Sequence, residues 1–584
     1  MKKLFLSAIS IALATSAYAI PNTFKEGDVI SAEQMNENFE YLEQQFRGAR
    51  STDVKCGEGE KIGDAISNGY TNITVSGSCT ENLQFSMWRE DSAENSSPTG
   101  KLAPRFLRIA GADASAKIAD ASSNAESTVS VTDGATLLLE DITISGGQYA
   151  VNAQRNTNLY LSGVTIENFT ERGIRAIDGN WLGIDDDGVI VKGTGSAGYG
   201  IEVGLGASGW IAAATISGVE RGLNAHGGST LYIKSYEITA ASRGVNVSNS
   251  RFLKYSDGSA SIEGTSDSAV SVDHGVFTNW DGTLEIKNLN GGRGVELWQS
   301  KASISNLKLL NFNNTGSGWN PAIRVGDASA LNLNDSEVSG ETDSSLINVD
   351  RSSMMEVNNS NISGTAGDSL IYAGRQSLLD LEDSTVSGTA RSLIGIDRGS
   401  TLQIESGTLS GTVQDALIGI NHGSNAEIND KSVISITSAA AGIYVGGSNL
   451  NFKNSSISGS VTQHLIGIEN GSDAEISDST LTLTSGKKGL SVAKNSHLKL
   501  RNSSITGPAT DALVQINRVS SVDIENGSTL GQTNADTPDV KVDMLSFLGV
   551  WDSETSINKV NCSSKSHVET DEGTVTDLDP SCTE

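Results

Sequence analysis

Aromatic side chains are scarce in this 584-residue sequence, at 5%, and proline is scarcer still, with 7 residues. A chain of this length does not fold around one ordinary globular core, whereas a stack that adds core with every repeat has no such limit. Positive charge is also short: 41 Lys and Arg stand against 70 Asp and Glu, a formal net charge of −29. That balance argues against nucleic acid as a partner and suits a solvated, exported chain. Cysteine is limited to four, Cys56, Cys79, Cys562 and Cys582. One pair lies near each end, so the expected disulfides are Cys56–Cys79 and Cys562–Cys582, and thiols this far apart do not suit a metal site. After the first 19 residues no apolar run is long enough to span a bilayer as a helix, so no transmembrane segment is expected. Within those residues, Lys2 and Lys3, the apolar run Leu4 to Ala14 and Ala17-Tyr18-Ala19 read as a secretory signal peptide.

What the sequence does contain is a repeat. From about Ser329 to Val519 the chain lines up with itself in rows of about 24 residues. Rows begin at Ser329, Ser353, Ser377, Ser400, Ser424, Ser448, Ser472 and Ser496. Each row carries three apolar spots, such as Leu379 and Leu381, then Val386, then Leu393 to Ile396. The first alternates apolar and polar, the mark of a strand with one buried face. Runs of Ser, Gly, Asn and Asp separate the spots as turns. Three short strands per row describe a parallel β-helix. A leucine-rich repeat would need a helix-forming half, and here that half is Ser-Gly-Thr. The turn after the first strand carries a column of Asp335, Asn359, Asp383, Asp430, Asn454, Asp478, Asn502 and Asn526, read as structural.

The rest of the chain falls around this array. Residues 20–50 are a helical stub and linker: Ser31 is a candidate N-cap, and Met35, Phe39, Leu42 and Phe46 form a helical stripe. That helix needs a partner, either a second copy or its own β-helix. Residues 51–134 are the N-terminal cap and first coils. Here Lys61 to Ile66 reads as a short amphipathic helix, and Ile73-Thr74-Val75 and Phe106 to Ile109 as strands. Residues 135–328 are irregular coils, with first strands at Leu137, Leu159, Leu231 and Leu284. Third strands there follow Arg172-Gly173, Arg221-Gly222, Arg243-Gly244 and Arg293-Gly294. Residues 329–530 are the regular repeats, and residues 531–584 a C-terminal cap that closes the last strand edge.

The phrase GSCTENLQF at Gly77 to Phe85, with the helix before it, resembles the opening segment of pectate-lyase-like right-handed β-helix proteins. That resemblance implies right-handed winding and a helix over the first coil. The expected fold is therefore all-β: a right-handed parallel β-helix of about 16 to 18 coils, with capped ends and a short N-terminal helical stub. The phrase PNTFKEGDVISAEQMNENFEYL resembles a stub found behind the signal peptide of many bacterial exported proteins, which implies an oligomerisation or attachment element.

Two sets of residues are candidates for function. Asp185, Asp186 and Asp187 form the densest acidic cluster, able in principle to bind Ca²⁺ or to supply an acid–base pair. His226 and His274 follow downstream, but in this register they fall on another edge of the prism. No catalytic residue carries over from the pectate-lyase-like or polygalacturonase-like enzymes. After the third strands come His274, Arg351, Arg375, Arg398, His422, Lys494 and Arg518, a column of cations about 4.8 Å apart per coil. Of these, Arg351, Arg375, Arg398, His422 and Arg518 are the candidate polysaccharide-binding residues, since Arg can fork onto carboxylates or sulfates. The competing reading pairs them with Asp350, Asp397 or Glu469 in solvent.

The sequence thus points to a non-enzymatic secreted or cell-surface protein of a bacterium, adhesive or glycan-binding, with the periplasm as the other destination. Its partners would be an extracellular polysaccharide or a host or cell surface, and a second copy through the stub; no cofactor is required. The alternative is a polysaccharide lyase or glycoside hydrolase acting on an acidic polysaccharide from the irregular coils.

Overall fold

The computed structural model describes residues 50–86, 106–316, 318–552, 555, 557–563, 565–571 and 575–582. The signal peptide, the helical stub and residues 88–104, whose polar sequence reads as a loop, lie outside the described residues. Among the described residues, helix is limited to one α-helix, Ile62–Ser67, and a 3-10 turn, Cys56–Glu58. The chain is a parallel β-helix of about 21 turns, in accord with the right-handed class. This exceeds the expected 16 to 18. Part of the difference lies in the C-terminal stretch, where Val540 pairs with Val560 in a coil of only 20 residues, too short for the 24-residue period.

The regular coils follow directly from the apolar pattern. In one of them the strands are Leu378–Glu382, Thr385–Ala390 and Ser392–Ile396. Leu379 stacks in register on Leu402, Val386 on Leu409 and Ile394 on Ile418, all inside and fully buried. Alternate residues point outward, as the two-residue period of a strand demands. The Asn/Asp column sits where expected, with a physical reason in the backbone. Asp335, Asn359, Asp383, Asp430, Asn454, Asp478, Asn502 and Asn526 all have positive φ, between 42° and 57°. Asn and Asp tolerate this left-handed conformation better than most residues. The side chains also link coils, Asn502 Nδ2 donating to Asp478 Oδ1 at 2.8 Å.

Serine at the start of each row has a role its polarity disguises. Ser329, Ser353, Ser377, Ser400, Ser424, Ser448, Ser472 and Ser496 are all nearly inaccessible. The backbone N–H of Ser400 donates to Ser424 Oγ at 3.3 Å, and that of Ser424 to Ser448 Oγ at 3.2 Å. Each hydroxyl then donates to a carbonyl of its own turn, as Ser424 Oγ does to Asn421 O at 2.6 Å. A second ladder runs through Ser336, Ser360 and Ser384. These serines satisfy buried turn amides that strands cannot reach. Gly364 and Gly388 hold the bend in the second strand at φ 151° and 156°, where a β-carbon would collide with the carbonyl of the coil before.

At the N-terminal end, Glu81 accepts from the backbone N–H groups of Ile62 and Gly63 at 2.8 and 2.9 Å. The carboxylate thereby caps the opening helix. Both expected disulfides, Cys56–Cys79 and Cys562–Cys582, are formed. Two compact units divide the chain, one reaching Ala241 and including Ser248–Leu253, the other comprising Ser242–Val247 and Lys254 onward.

Candidate functional site

In the first unit, functional groups converge on the outward face of the third strands. The strands Tyr149–Gln154, Arg172–Ile177, Val189–Gly204 and Ser208–His226 pair in sequence. Register puts Tyr149 beside Arg172, Arg172 beside Tyr199, and Tyr199 beside Arg221. The result is an alternating aromatic and cationic ladder. The Arg172 guanidinium lies 5.2 Å from the Tyr149 ring centre and 5.1 Å from that of Tyr199, and Arg221 lies 5.3 Å from Tyr199. Each such contact is attractive and fixes the planar cation over the ring.

The next outward column brings Asn152, Arg175, Glu202 and Asn224 together. Glu202 is the centre of this set, with only 7% of its side chain exposed. Its Oε2 forms close ion pairs with Arg172 Nε at 2.6 Å and Arg175 Nε at 3.4 Å, and its Oε1 contacts His226 Nε2 at 3.1 Å. Burial pushes the carboxyl up, but the His226 hydrogen bond and the charges of Arg172 and Arg175 outweigh it and hold Glu202 below the usual carboxylate value. Gly204 makes the His226 contact possible, because a β-carbon there would meet the imidazole ring. Glu171 also engages Arg172, at 3.1 Å. Arg221 differs: it donates to the Tyr199 hydroxyl at 3.2 Å and has no carboxylate partner among the described residues. Three guanidiniums therefore face two carboxylates, and Arg221 remains available for an external anion.

Asp185, Asp186 and Asp187 lie in the turn after the strand Trp181–Ile184, as expected, and all three are exposed. Asp185 accepts from the Asp187 backbone N–H at 3.1 Å, and Asp186 pairs with Lys234 at 2.8 Å. Their partners are separate from those of Arg172 and Arg221, so they do not share a constellation with those arginines. Among the described residues, no group of three or more His, Cys, Asp or Glu is arranged to hold a metal ion.

The cation column after the third strands keeps its register in the second unit. Arg351, Arg375, Arg398, His422, Lys494 and Arg518 all occupy left-handed turn positions. Most are paired. Arg351 meets Asp327 at 3.0 Å, Arg375 meets Asp350 at 3.2 Å, and Arg398 and His422 share Asp397 at 3.4 and 2.5 Å. Lys494 meets Glu469 at 2.5 Å. Arg518 is exposed and has no carboxylate partner among the described residues. The column is thus of mixed charge, and most of its guanidiniums are engaged by carboxylates of the same molecule.

Glu202 and the two ladder tyrosines were not among the sequence candidates. Arg172 and Arg221 were visible as the residues before third strands, but their alternation with Tyr149 and Tyr199 was not. The intervals are 23, 27 and 22 residues, too uneven to align without the strand register.

No helix among the described residues is long and apolar enough to cross a membrane. The two disulfides are compatible with an extracellular location, and the fold suits a surface or secreted protein. No protein-family model matches the chain, and no curated protein matches it.

Proposed function

We propose that this protein is a non-enzymatic glycan-binding β-helix that acts outside the cytoplasm. Its principal surface is the third-strand face from Tyr149 to His226, and its ligand is an extended anionic polysaccharide. The observation that carries this reading is the ladder Tyr149–Arg172–Tyr199–Arg221. Guanidiniums set against the rings, one coil or about 4.8 Å along, turn their N–H edges to the carboxylates or sulfates of a linear chain. Glu202 supports the surface by holding Arg172 and Arg175 in place, and Arg221 supplies the cation that pairs with the ligand.

A binding role fits Glu202 better than acid–base catalysis. A general acid needs a carboxyl raised toward neutrality, whereas this one is held ionised by its partners. The polysaccharide lyase or hydrolase alternative would use the same face, with His226 beside Glu202. A glycan array with the purified protein, covering neutral and anionic polysaccharides, separates the two. Binding of uronate or sulfated chains without shortening, weakened in Arg221→Gln, supports the proposal. Shortening of a bound chain that is lost in Glu202→Gln would replace it with the enzymatic reading.

A further inference from the structure

We propose that the second unit carries a separate site for a neutral pyranose residue, in the cleft beside Trp298. The cleft has a volume of about 490 Å³, and its lining includes Arg243, Ser271, Asp273, Glu296, Trp298 and Arg351. This site is independent of the cationic ladder of the first unit.

Trp298 is held in a fixed position. The Arg324 guanidinium lies 3.8 Å from its ring centre and 5.1 Å from that of Trp319, an aromatic–cation–aromatic stack. Gly326, in register with Trp298 one coil on, offers no side chain to disturb that stack. Glu296 anchors the cleft floor, paired with Arg293 at 3.0 Å and Arg324 at 3.2 Å while accepting from Ser268 Oγ at 3.0 Å. All its oxygens are engaged.

The groups left for a ligand are of a different kind. Ser271, in register with Glu296 and only 5% exposed, has no hydrogen-bond partner for its hydroxyl among the described residues. Asp273, two residues along the same strand, uses one carboxylate oxygen on His274 Nδ1 at 2.7 Å and keeps the other. A hydroxyl and a carboxylate oxygen beside an indole provide hydrogen bonds for sugar hydroxyls and a flat surface for the C–H face of the ring. The charges exclude a polyanion. Arg243 is taken by Asp267 and Asn246, and Arg351 by Asp327. Two guanidiniums in the lining face three carboxylates, Asp273, Glu296 and Asp327.

The test is calorimetric titration of the purified protein with neutral gluco-, galacto-, manno- and xylo-tetrasaccharides, at about 0.1 M and about 0.5 M salt. Wild type is compared with Asp273→Asn, Trp298→Ala and Arg221→Gln, with thermal unfolding as the folding control. At least one neutral sugar is expected to bind with the same affinity at both salt concentrations. Its affinity should fall about tenfold or more in Asp273→Asn and Trp298→Ala and stay unchanged in Arg221→Gln. Absence of binding by every neutral sugar overturns the proposal. So does binding that survives in a folded Asp273→Asn and Trp298→Ala, or that weakens with salt.

Discussion

His464 should make the second unit acid-sensitive in a measurable way. Its side chain is buried at the start of the third-strand segment of Ser456–Glu469, and Nε2 has no hydrogen-bond partner among the described residues. It packs over Gly467, where a β-carbon would collide with the imidazole. Burial lowers its pKa from 6.5 to about 4, with Lys488 of the next coil pushing the same way and Glu469 opposing. The sign follows from the proton balance. Between pH 6.5 and about 4 the unfolded chain holds the imidazole proton and the folded chain does not, so stability falls as pH drops through that window. Above it the contribution is constant, and below about 4 it levels off. The full change corresponds to about 3 kcal/mol. Denaturant unfolding of wild type and His464→Leu from pH 8 to pH 4 isolates the effect, because carboxylate contributions are common to both. Amide exchange at Ile466 and Ile468 reports the same change if the solenoid unfolds in parts. The difference between the two proteins should shift by about 3 kcal/mol over the window, to the disadvantage of wild type at low pH. A difference that stays flat with pH would show that the imidazole is solvated and the packing argument wrong.

Three further outcomes are expected. Ser424→Ala leaves the Ser400 amide without its acceptor and should cost about 1 to 3 kcal/mol, read by urea unfolding. Glu202→Gln removes the charge that balances Arg172 and Arg175 and should destabilise its coils by about 3 kcal/mol, seen as faster amide exchange in Val189–Gly204. Reducing Cys56–Cys79 releases a constraint worth about 3 kcal/mol, and limited proteolysis should then attack the first coils while leaving the regular repeats intact.

Much of the fold was legible in the sequence because the coils at Ser329 to Ser496 have nearly equal length, so apolar columns align by eye. Leu379, Leu402 and Ala426 fall in one column before any coordinates are seen, and they stack in register. The row-initial serines were visible as a marker but read as turn polarity. Their constancy at one position in each row was the signal of a buried ladder. The C-terminal coils were harder, since a 20-residue coil breaks the period while keeping the parallel pairing of Val540 with Val514 and Val560. The candidate site was least legible. Tyr149, Arg172, Tyr199 and Arg221 meet only through strand pairing across coils of unequal length, and Glu202 reads in sequence as one of many surface carboxylates. Conversely, the cations at Arg351, Arg375 and Arg398 were obvious in sequence, but the carboxylates engaging them were apparent only as a competing reading.

The most direct test of the account is the affinity of wild type and Arg221→Gln for a uronate oligosaccharide, measured at two salt concentrations with chain length monitored in the same samples. Binding should weaken with salt, fall about tenfold in Arg221→Gln, and leave the oligosaccharide intact. Equal binding by both proteins, or shortening of the oligosaccharide, would contradict it.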